Sequence, residues 1–517
     1  MFAEVLLEGA ARTVVSFPGR GEWIAIELVA EAFETVRQAL DSSPALLVPM
    51  STSPETVGVV LAAAALGATV VSVPAPRSTP DVDEISELAN VARDTGSCAM
   101  VADTPSAERW RDCIPSALSL AAVSCGGRPT ETTGVEPGFK LIQHTSGSTG
   151  PPRPVVLTDA DLGANVQAIL DRLSVERGDS SASWLPLAHD MGLVGILFST
   201  LAAATAIGGT SSTLISPEQF LRSPTAWLRL LSEQRTTITA LPDFGLRHIA
   251  RRYRSSTGAD LSALRAVIVG AEMIRCQSLQ RFVAATSSSG LRREAMCPAY
   301  GMAEFGVAVS MVPPGVGWSE GAVAIDGGPS VPAVSSGPPL AGYQALVDGP
   351  HAGEIALRGP SLGHSLSGVS LSDADGWYRT GDIGAVLDGE VSVIGRIGDG
   401  LVVNGHQVLA TIAEQAVPDD IARLGRVAAL VTFDGRFAIV LEPLATAVSD
   451  LPSHLERVRL HVSRAVDAAP ELVIAVGRGE LPRTASGKIQ RTRLAAALAA
   501  KSVAVVAILD TARLEDV

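Results

Sequence analysis

The stretch Ala45–Val73, ALLVPMSTSPETVGVVLAAAALGATVVSV, decides the fold class. Ala45-Leu-Leu-Val-Pro49 is an apolar run of strand length, and Glu55 to Leu66 is an alanine-rich run of helix length closed by Gly67. Ala68-Thr-Val-Val-Ser-Val73 is a second, β-branched strand. The three pieces read as one right-handed βαβ unit with a buried parallel pair. The same alternation returns downstream. A helix is expected near Asp161–Leu173, a strand through Ser183-Trp184-Leu185, and a helix over Met191–Ala206 that stops at the Gly208-Gly209 turn. Trp227 to Arg235 predicts an amphipathic helix, and Ala266-Val-Ile-Val269 a buried strand ending at Gly270. Alternation of this kind gives a doubly wound α/β architecture.

From Gly353 to Gly395 the rhythm changes to short strands with glycine turns, as in Glu354–Arg358 and Glu390–Ile394. A small α+β unit fills the remainder. The expected division is therefore a large multi-subdomain α/β domain over 1–395 and a small, mobile C-terminal α+β domain over 396–517. The boundary falls at Arg396-Ile-Gly-Asp-Gly400, with a hinge near Gly398.

Composition narrows the function classes. At 517 residues the chain exceeds one hydrophobic core, and 47% apolar with 18% charged residues marks a globular protein rather than a disordered one. A net charge of −14 without a dense basic stripe argues against nucleic acid as a partner. Cys98, Cys113, Cys125, Cys276 and Cys297 are odd in number and contain no C-x-x-C pair, so neither a disulfide framework nor a zinc site is indicated. That usage fits a reducing cytoplasm, and Glu4 and Glu8 stand where a secretory signal would be basic. The uncharged stretches Thr56–Pro76 and Met191–Pro217 approach the length of a membrane span, yet their Gly and Ser/Thr content reads as helix, turn and buried strand. Lysine is scarce: of 40 basic residues only Lys140, Lys488 and Lys501 are lysine.

The chemistry centres on His144-Thr-Ser-Gly-Ser-Thr-Gly-Pro-Pro-Arg153, which precedes a short strand at Val155–Thr158 and a helix start at Asp159. Glycines allow close backbone approach, and successive N–H groups with Ser and Thr hydroxyls form an anion-binding concavity that suits a triphosphate. The same composition also suits a plain flexible turn. Four later segments decide between them: Ala299-Tyr-Gly-Met-Ala-Glu304, Tyr378-Arg-Thr-Gly-Asp382, Gly395-Arg396 with Val403-Asn-Gly405, and Leu481-Pro-Arg-Thr-Ala-Ser-Gly-Lys-Ile489.

In this order, over nearly the whole chain, the five motifs resemble the adenylate-forming superfamily of acyl-CoA synthetases, fatty acyl-AMP ligases and nonribosomal-peptide adenylation domains. Ser183–Leu193, Phe220–Trp227, Pro242-Asp-Phe244 and Gly270-Ala-Glu272 are most similar to fatty acyl-AMP ligases. The resemblance implies ATP, Mg²⁺ and a thiol acceptor such as CoA as cofactors, with AMP as a product. It implies that Thr145, Ser146, Gly147, Ser148, Thr149 and Gly150 hold the β- and γ-phosphates, and that Tyr300 faces adenine beside Gly301 and Met302. Glu304 would hold Mg²⁺, Asp382 would accept the ribose hydroxyls, and Arg396 would face ribose and phosphate. His189 would lie near the acyl carboxylate, while Phe244, Gly270, Ala271 and Glu272 would line the adenine and acyl pockets. Gly405 would face the acceptor thiol. Lys488 would meet the α-phosphate as charge builds in the transition state, a task suited to a point charge on a flexible stem.

The chain departs from the family pattern at three places. The segment Gly363–Trp377 is short where acyl-AMP ligases carry an extra obstruction, which favours CoA as acceptor over a carrier protein. Arg153-Pro154 replaces the usual Lys-Gly, and Pro154 lacks a backbone donor, so a weak first half-reaction and a separate adenylating enzyme as partner enter the expectation. Gly398 stands at the hinge position, commonly Asp or Lys. An acyl-AMP ligase loading an acyl carrier protein, and a non-catalytic nucleotide-binding homologue, remain the alternatives.

Overall fold

A computed structural model describes residues 1–510, apart from 77, 117, 124–136, 146–152, 255–257, 326–329, 350, 398–399, 404–405, 419, 434–435, 445–449, 467 and 483–488. Ser146 to Gly150, Gly398, Gly405 and Lys488 thus lie outside the described residues.

The opening stretch forms the expected unit: strand Ala45–Pro49, helix Pro54–Ala65 and strand Thr69–Val73, with the two strands parallel. Ser53 Oγ accepts from Thr56 N at 3.2 Å and Pro54 takes the first helical turn, so the helix start is written locally. Nearly every residue of both strands is buried, which is why they carry unbroken apolar runs. These strands lie inside a six-stranded sheet in the order Ser119–Val123, Ala99–Asp103, Ala45–Pro49, Thr69–Val73, Lys140–Thr145 and Arg153–Thr158. All neighbours are parallel except the last pair, which brackets the Ser/Thr/Gly loop.

A second sheet has eight strands in the order Ser310–Met311, Met296–Tyr300, Ala266–Val269, Ile238–Leu241, Ser180–Ser183, Thr210–Leu214, Thr13–Phe17 and Gly21–Ile24. Its six inner strands are parallel. Between the sheets runs the apolar helix Asp190–Ile207. Leu193, Val194 and Leu197 share one core with Val48, Val70 and Leu141 of the first sheet, while Met191 and Ile196 join the core of the second. Among the described residues it is the one helix long and apolar enough to cross a membrane, and 72% of it is buried inside the protein. The expected helix, turn and strand therefore form, ending in strand Thr210–Leu214.

Two boundaries differ from the sequence reading. The strand ends at Ser183, because the Trp184 ring leaves the sheet to stack on Phe220 with centroids 3.8 Å apart. The amphipathic helix runs over Pro224–Glu233, started by its own proline, and Arg235 takes a left-handed φ of 48° just beyond it.

An antiparallel sheet follows, in the order Gln344–Val347, Gly353–Arg358, Tyr378–Leu387 and Glu390–Arg396. The C-terminal part builds a separate four-stranded sheet from Ala422–Phe433, Arg436–Pro443, Leu472–Val476 and Val505–Asp510. It has its own core around Ile439, Leu441, Val458 and Val473. Gln415 Nε2 lies 2.8 Å from Met273 Sδ and Arg493 pairs with Asp83 at 3.3 Å, so this part touches the larger one.

Candidate active site

The implicated side chains gather where parallel strands end. Strands Ser180–Ser183, Ile238–Leu241, Ala266–Val269 and Met296–Tyr300 run side by side and in one direction. Their carboxyl ends release His189, Phe244, Gly270 and Gly301 respectively. Strand Lys140–Thr145 delivers Thr145 in the same way from the other sheet. A crevice outside the carboxyl ends of strands is where open α/β sheets bind ligands.

Asp382 is the most enclosed charged residue of the group, at 5% exposure. Its Oδ2 accepts from Tyr300 Oη at 2.7 Å, and its Oδ1 from Arg396 Nε at 2.5 Å. The register of strands Tyr378–Leu387 and Glu390–Arg396 sets this pair, since Asp382 stands directly opposite Arg396. Burial raises the Tyr300 phenol far above its ordinary pKa, and the neighbouring Asp382 charge adds to the rise. Burial also opposes the Arg396 charge, yet Asp382 outweighs it and holds the guanidinium above its ordinary value. Tyr300 thus stays a neutral donor whose ring is oriented by Asp382. A plain turn aspartate would be exposed; this one is not.

Glu304 sits on the short turn Ala303–Phe305. Tyr378 Oη donates to Glu304 Oε1 at 3.0 Å, and Gly363 N donates to Glu304 O at 2.8 Å. Burial raises the Glu304 carboxyl above its ordinary range, Tyr378 and Arg396 pull it down, and the charge of Asp190 pushes it up again. The Tyr378 phenol is raised by burial and by Glu304, while Arg153 and Arg396 lower it. This mutual influence brings Asp190, Arg153 and Arg396 into electrostatic reach of the Glu304–Tyr378 pair.

A partly buried carboxylate with a raised pKa suits a divalent cation, whose charge would restore its ionised form. Among the described residues no three His, Cys, Asp or Glu groups converge on a metal position. Glu304 would therefore supply one ligand, with phosphate oxygens and waters completing the shell, as is usual for Mg²⁺.

His189 caps the helix Asp190–Gly192, with its Nδ1 paired to Asp190 Oδ1 and within 3.3 Å of Met191 N. Glu272 Oε2 accepts from Phe244 N at 3.1 Å, which ties the two pocket segments together. A Cβ on Gly270 would lie 3.0 Å from Ala299 O, so the loop rests against the strand that carries Tyr300. Ala271 holds a φ of 66°, an uncommon left-handed conformation for alanine. Behind Phe244, buried Asp243 accepts from Arg275 N at 3.0 Å; burial pushes its carboxyl up against the pull of Arg275 and Arg247.

At the phosphate loop, Arg153 N donates to Thr145 Oγ1 at 3.3 Å and closes the base of the loop. Pro154 lies one residue further on, inside the edge strand and opposite His144. On an edge strand a missing N–H is tolerated. Burial lowers the His144 pKa, which favours a neutral imidazole at the position next to Thr145.

Tyr300, Asp382 and Arg396 thus meet directly, and Glu304, bonded to Tyr378, lies within the electrostatic reach of Arg396, with Gly301 and Met302 in the turn between Tyr300 and Glu304. His189, Phe244, Gly270, Ala271, Glu272 and Thr145 border them. Three residues escaped the sequence reading as site residues: Tyr378, Asp190 and Asn165. Tyr378 and Asp190 lie in quoted motifs. Asn165 is a polar residue on the apolar stripe of Leu162, Val166 and Ile169, a signal that was available.

A family model described as AMP-binding enzyme matches residues 30–365. The chain belongs to the AMP-binding enzyme family. As an adenylate-forming member, it is an acyl-adenylate-forming ligase. A protein named as a ligase from Mycobacterium tuberculosis is 32% identical over 395 residues, covering 69% of this chain and 71% of that protein. A protein named as an acyl-CoA synthetase from Caulobacter vibrioides is 31% identical over 393 residues, covering 68% and 67%. A structure from work on fatty acyl-adenylate ligases of E. coli and L. pneumophila superposes with a TM-score of 0.84 at 22% identity, covering 96% of this chain and 98% of that one. The shared fold of this AMP-binding enzyme includes a large N-terminal and a small C-terminal domain.

Proposed function

We propose that this AMP-binding enzyme activates a carboxylic acid with ATP and passes the acyl group to the thiol of CoA. In the first step a carboxylate oxygen attacks the α-phosphorus, the acyl–AMP bond forms and pyrophosphate leaves. In the second, a thiolate attacks the acyl carbon and AMP leaves with the electron pair. Asp382 and Tyr300 orient the nucleoside, Arg396 faces its ribose and phosphate, and His189 lies on the acyl side. When Mg²⁺ is bound it neutralises phosphate charge during the displacement. The domain boundary is placed at Arg396, with the small domain over 396–517 turning about Gly398 between the two steps and Lys488 acting only in the first.

The observation that carries CoA as acceptor is the compact connection before Tyr378. His364 pairs back onto Val156 and onto Ser370, and Ser365 N donates to Val369 O at 2.9 Å, so the segment folds on itself in tight turns. It offers no bulk to block a swing of the small domain. The place of Pro154 on an edge strand speaks against a weak first step, while Arg153 in place of lysine keeps that step, and a separate adenylating partner, within the test. A carrier protein as acceptor is the second reading, favoured by the shape shared with fatty acyl-adenylate ligases over nearly the whole chain.

The test supplies a panel of carboxylic acids with ATP, and separately their preformed acyl adenylates, to CoA and to a phosphopantetheinylated carrier protein. Thioester with CoA is expected in both arms at comparable rates. Thioester with the carrier protein alone would replace this reading by the second. Lys488→Ala should lower adenylation by ~100- to 1,000-fold, as removal of a transition-state donor typically does, and leave transfer from supplied adenylate intact. Equal loss in both half-reactions would remove Lys488 from the proposed role.

A further inference from the structure

Asn165 is fully buried, with 0% exposure, in the middle of the helix Asp159–Leu173. Three of its four hydrogen bonds go to the turn that follows Glu304, and the fourth goes to Tyr343. Nδ2 donates to Ala308 O at 2.7 Å and to Tyr343 Oη at 3.0 Å. Oδ1 accepts from Val307 N at 3.1 Å and from Ala308 N at 3.3 Å. Two donors and two acceptor sites are all that a carboxamide has. The chain of bonds continues: Tyr343 Oη donates to Ser361 Oγ at 2.7 Å, and Ser361 Oγ donates to Phe305 O at 2.8 Å. Tyr343 and Ser361 are buried as well.

The turn leaves no room for drift. A Cβ on Gly301 would lie 2.0 Å from Val307 O, and Gly306 holds a φ of +89° with Asn165 Oδ1 3.0 Å from where its Cβ would be. Val309 N donates to Tyr300 O at 2.9 Å, so the return of the turn also fixes Tyr300.

The helix that carries Asn165 starts where the strand after the phosphate loop ends. Thr158 and Asp161 cap it reciprocally, with Thr158 N donating to Asp161 Oδ2 at 2.8 Å. A second tie runs in parallel: Val156 N donates to His364 O at 2.9 Å, and the adjacent Gly363 N donates to Glu304 O. One end of the helix is therefore set by the strand Arg153–Thr158, and its middle grips the turn that follows Glu304.

We propose that Asn165 is a positioning residue that holds Glu304 in register with the strand Arg153–Thr158, so that a divalent cation on Glu304 meets the triphosphate. This rests on the reading of Glu304 as the cation ligand. A helix packed only by its apolar stripe could slide or rotate slightly; four directed hydrogen bonds cannot be kept through such a shift.

The test is binding of a non-reacting α,β-methylene analogue of ATP, measured by calorimetry with and without Mg²⁺. Asn165→Ala should weaken binding of the Mg²⁺ complex by about tenfold or more, the usual loss when a residue supporting a metal ligand is removed, and leave metal-free binding unchanged. Pyrophosphate exchange should fall in step, while thiol transfer from supplied acyl adenylate, which needs no triphosphate, should stay as in the wild type. Tyr343→Phe removes one hydroxyl without removing the ring, so it reports on the same network if Asn165→Ala does not fold; the same effect is expected, smaller. Glu304→Gln should abolish the Mg²⁺ enhancement, and adding Asn165→Ala to it should cost nothing more. An unchanged Mg²⁺ enhancement in both Asn165→Ala and Tyr343→Phe, or full additivity with Glu304→Gln, overturns the positioning role. A Glu304→Gln variant that retains the enhancement overturns the reading of Glu304 itself, and the present one with it.

Discussion

The two sides of the site solve the same problem differently. Asp382 is buried, accepts a hydrogen bond from Tyr300 and faces Arg396, so its charge is answered within the protein. Glu304 likewise accepts from a tyrosine, Tyr378, but its carboxyl is raised above the ordinary range and the nearby Asp190 raises it further. One carboxylate is finished as it stands. The other carries an electrostatic deficit that a cation would fill, and this contrast separates a residue that shapes the pocket from one that awaits a ligand.

The comparison breaks most severely at Asp382. Asp382→Ala leaves Arg396 without its carboxylate and Tyr300 without its acceptor. Stability should fall by about 2 kcal/mol or more, less than for a fully buried pair because Arg396 is partly open to solvent. The adenylation kcat/KM for ATP should fall by ~100-fold, the scale for loss of a directed polar contact in an active site. Denaturant titration and pyrophosphate exchange read the two quantities. A variant as stable as the wild type would show that Asp382 and Arg396 are not coupled.

Glu304→Gln sharpens the contrast from the other side. Because the folded-state pKa of Glu304 lies above its ordinary value of 4.5, the folded protein binds this proton more tightly than the unfolded chain does. That contribution to stability is complete below pH 4.5 and is lost as pH rises through the raised value. Without Mg²⁺, the glutamine variant should therefore melt above the wild type at neutral pH, with the gap closing as pH falls to about 4. Adenylation should meanwhile drop by roughly 10- to 100-fold. A gap that widens toward low pH would reverse the sign of the argument.

The smallest effect is expected at Tyr378→Phe. Tyr378 lowers the Glu304 pKa through its hydrogen bond, so its removal should push that pKa higher and cost about 1 kcal/mol of stability. The acid limb of the adenylation rate profile should move to higher pH. A limb that does not move would mean the hydrogen bond contributes nothing to Glu304 in the working enzyme.

Much of the fold was legible in the chain. Ala45–Val73 carries its strands as apolar runs and its helix start as Ser53-Pro54, signals that act over a few residues and survive packing. The strand expected through Leu185 failed at Trp184 because an aromatic ring found a stacking partner, Phe220, far along the sequence. At the site, Tyr300, Glu304 and Asp382 were readable from motifs in which function constrains neighbouring residues. Tyr378 stood inside one motif and its partner Glu304 inside another, but nothing local marks a phenol as the donor to a distant carboxylate. Pro154 shows the same limit: its identity is plain, whereas its position in an edge strand depends on the register with His144.

By itself, then, the sequence determined the helices, strands and turns, the order of the five motifs and the family they mark. These depend on spacing, side-chain type and backbone freedom among near neighbours. Only the tertiary structure decided the partnerships: Tyr378 with Glu304 across 74 residues, Tyr300 with Asp382 across 82, and Asn165 with Val307 across 142. Such contacts require the closure of long loops and a shared core to hold both ends, and no local pattern encodes which residue will stand opposite another once two sheets have packed.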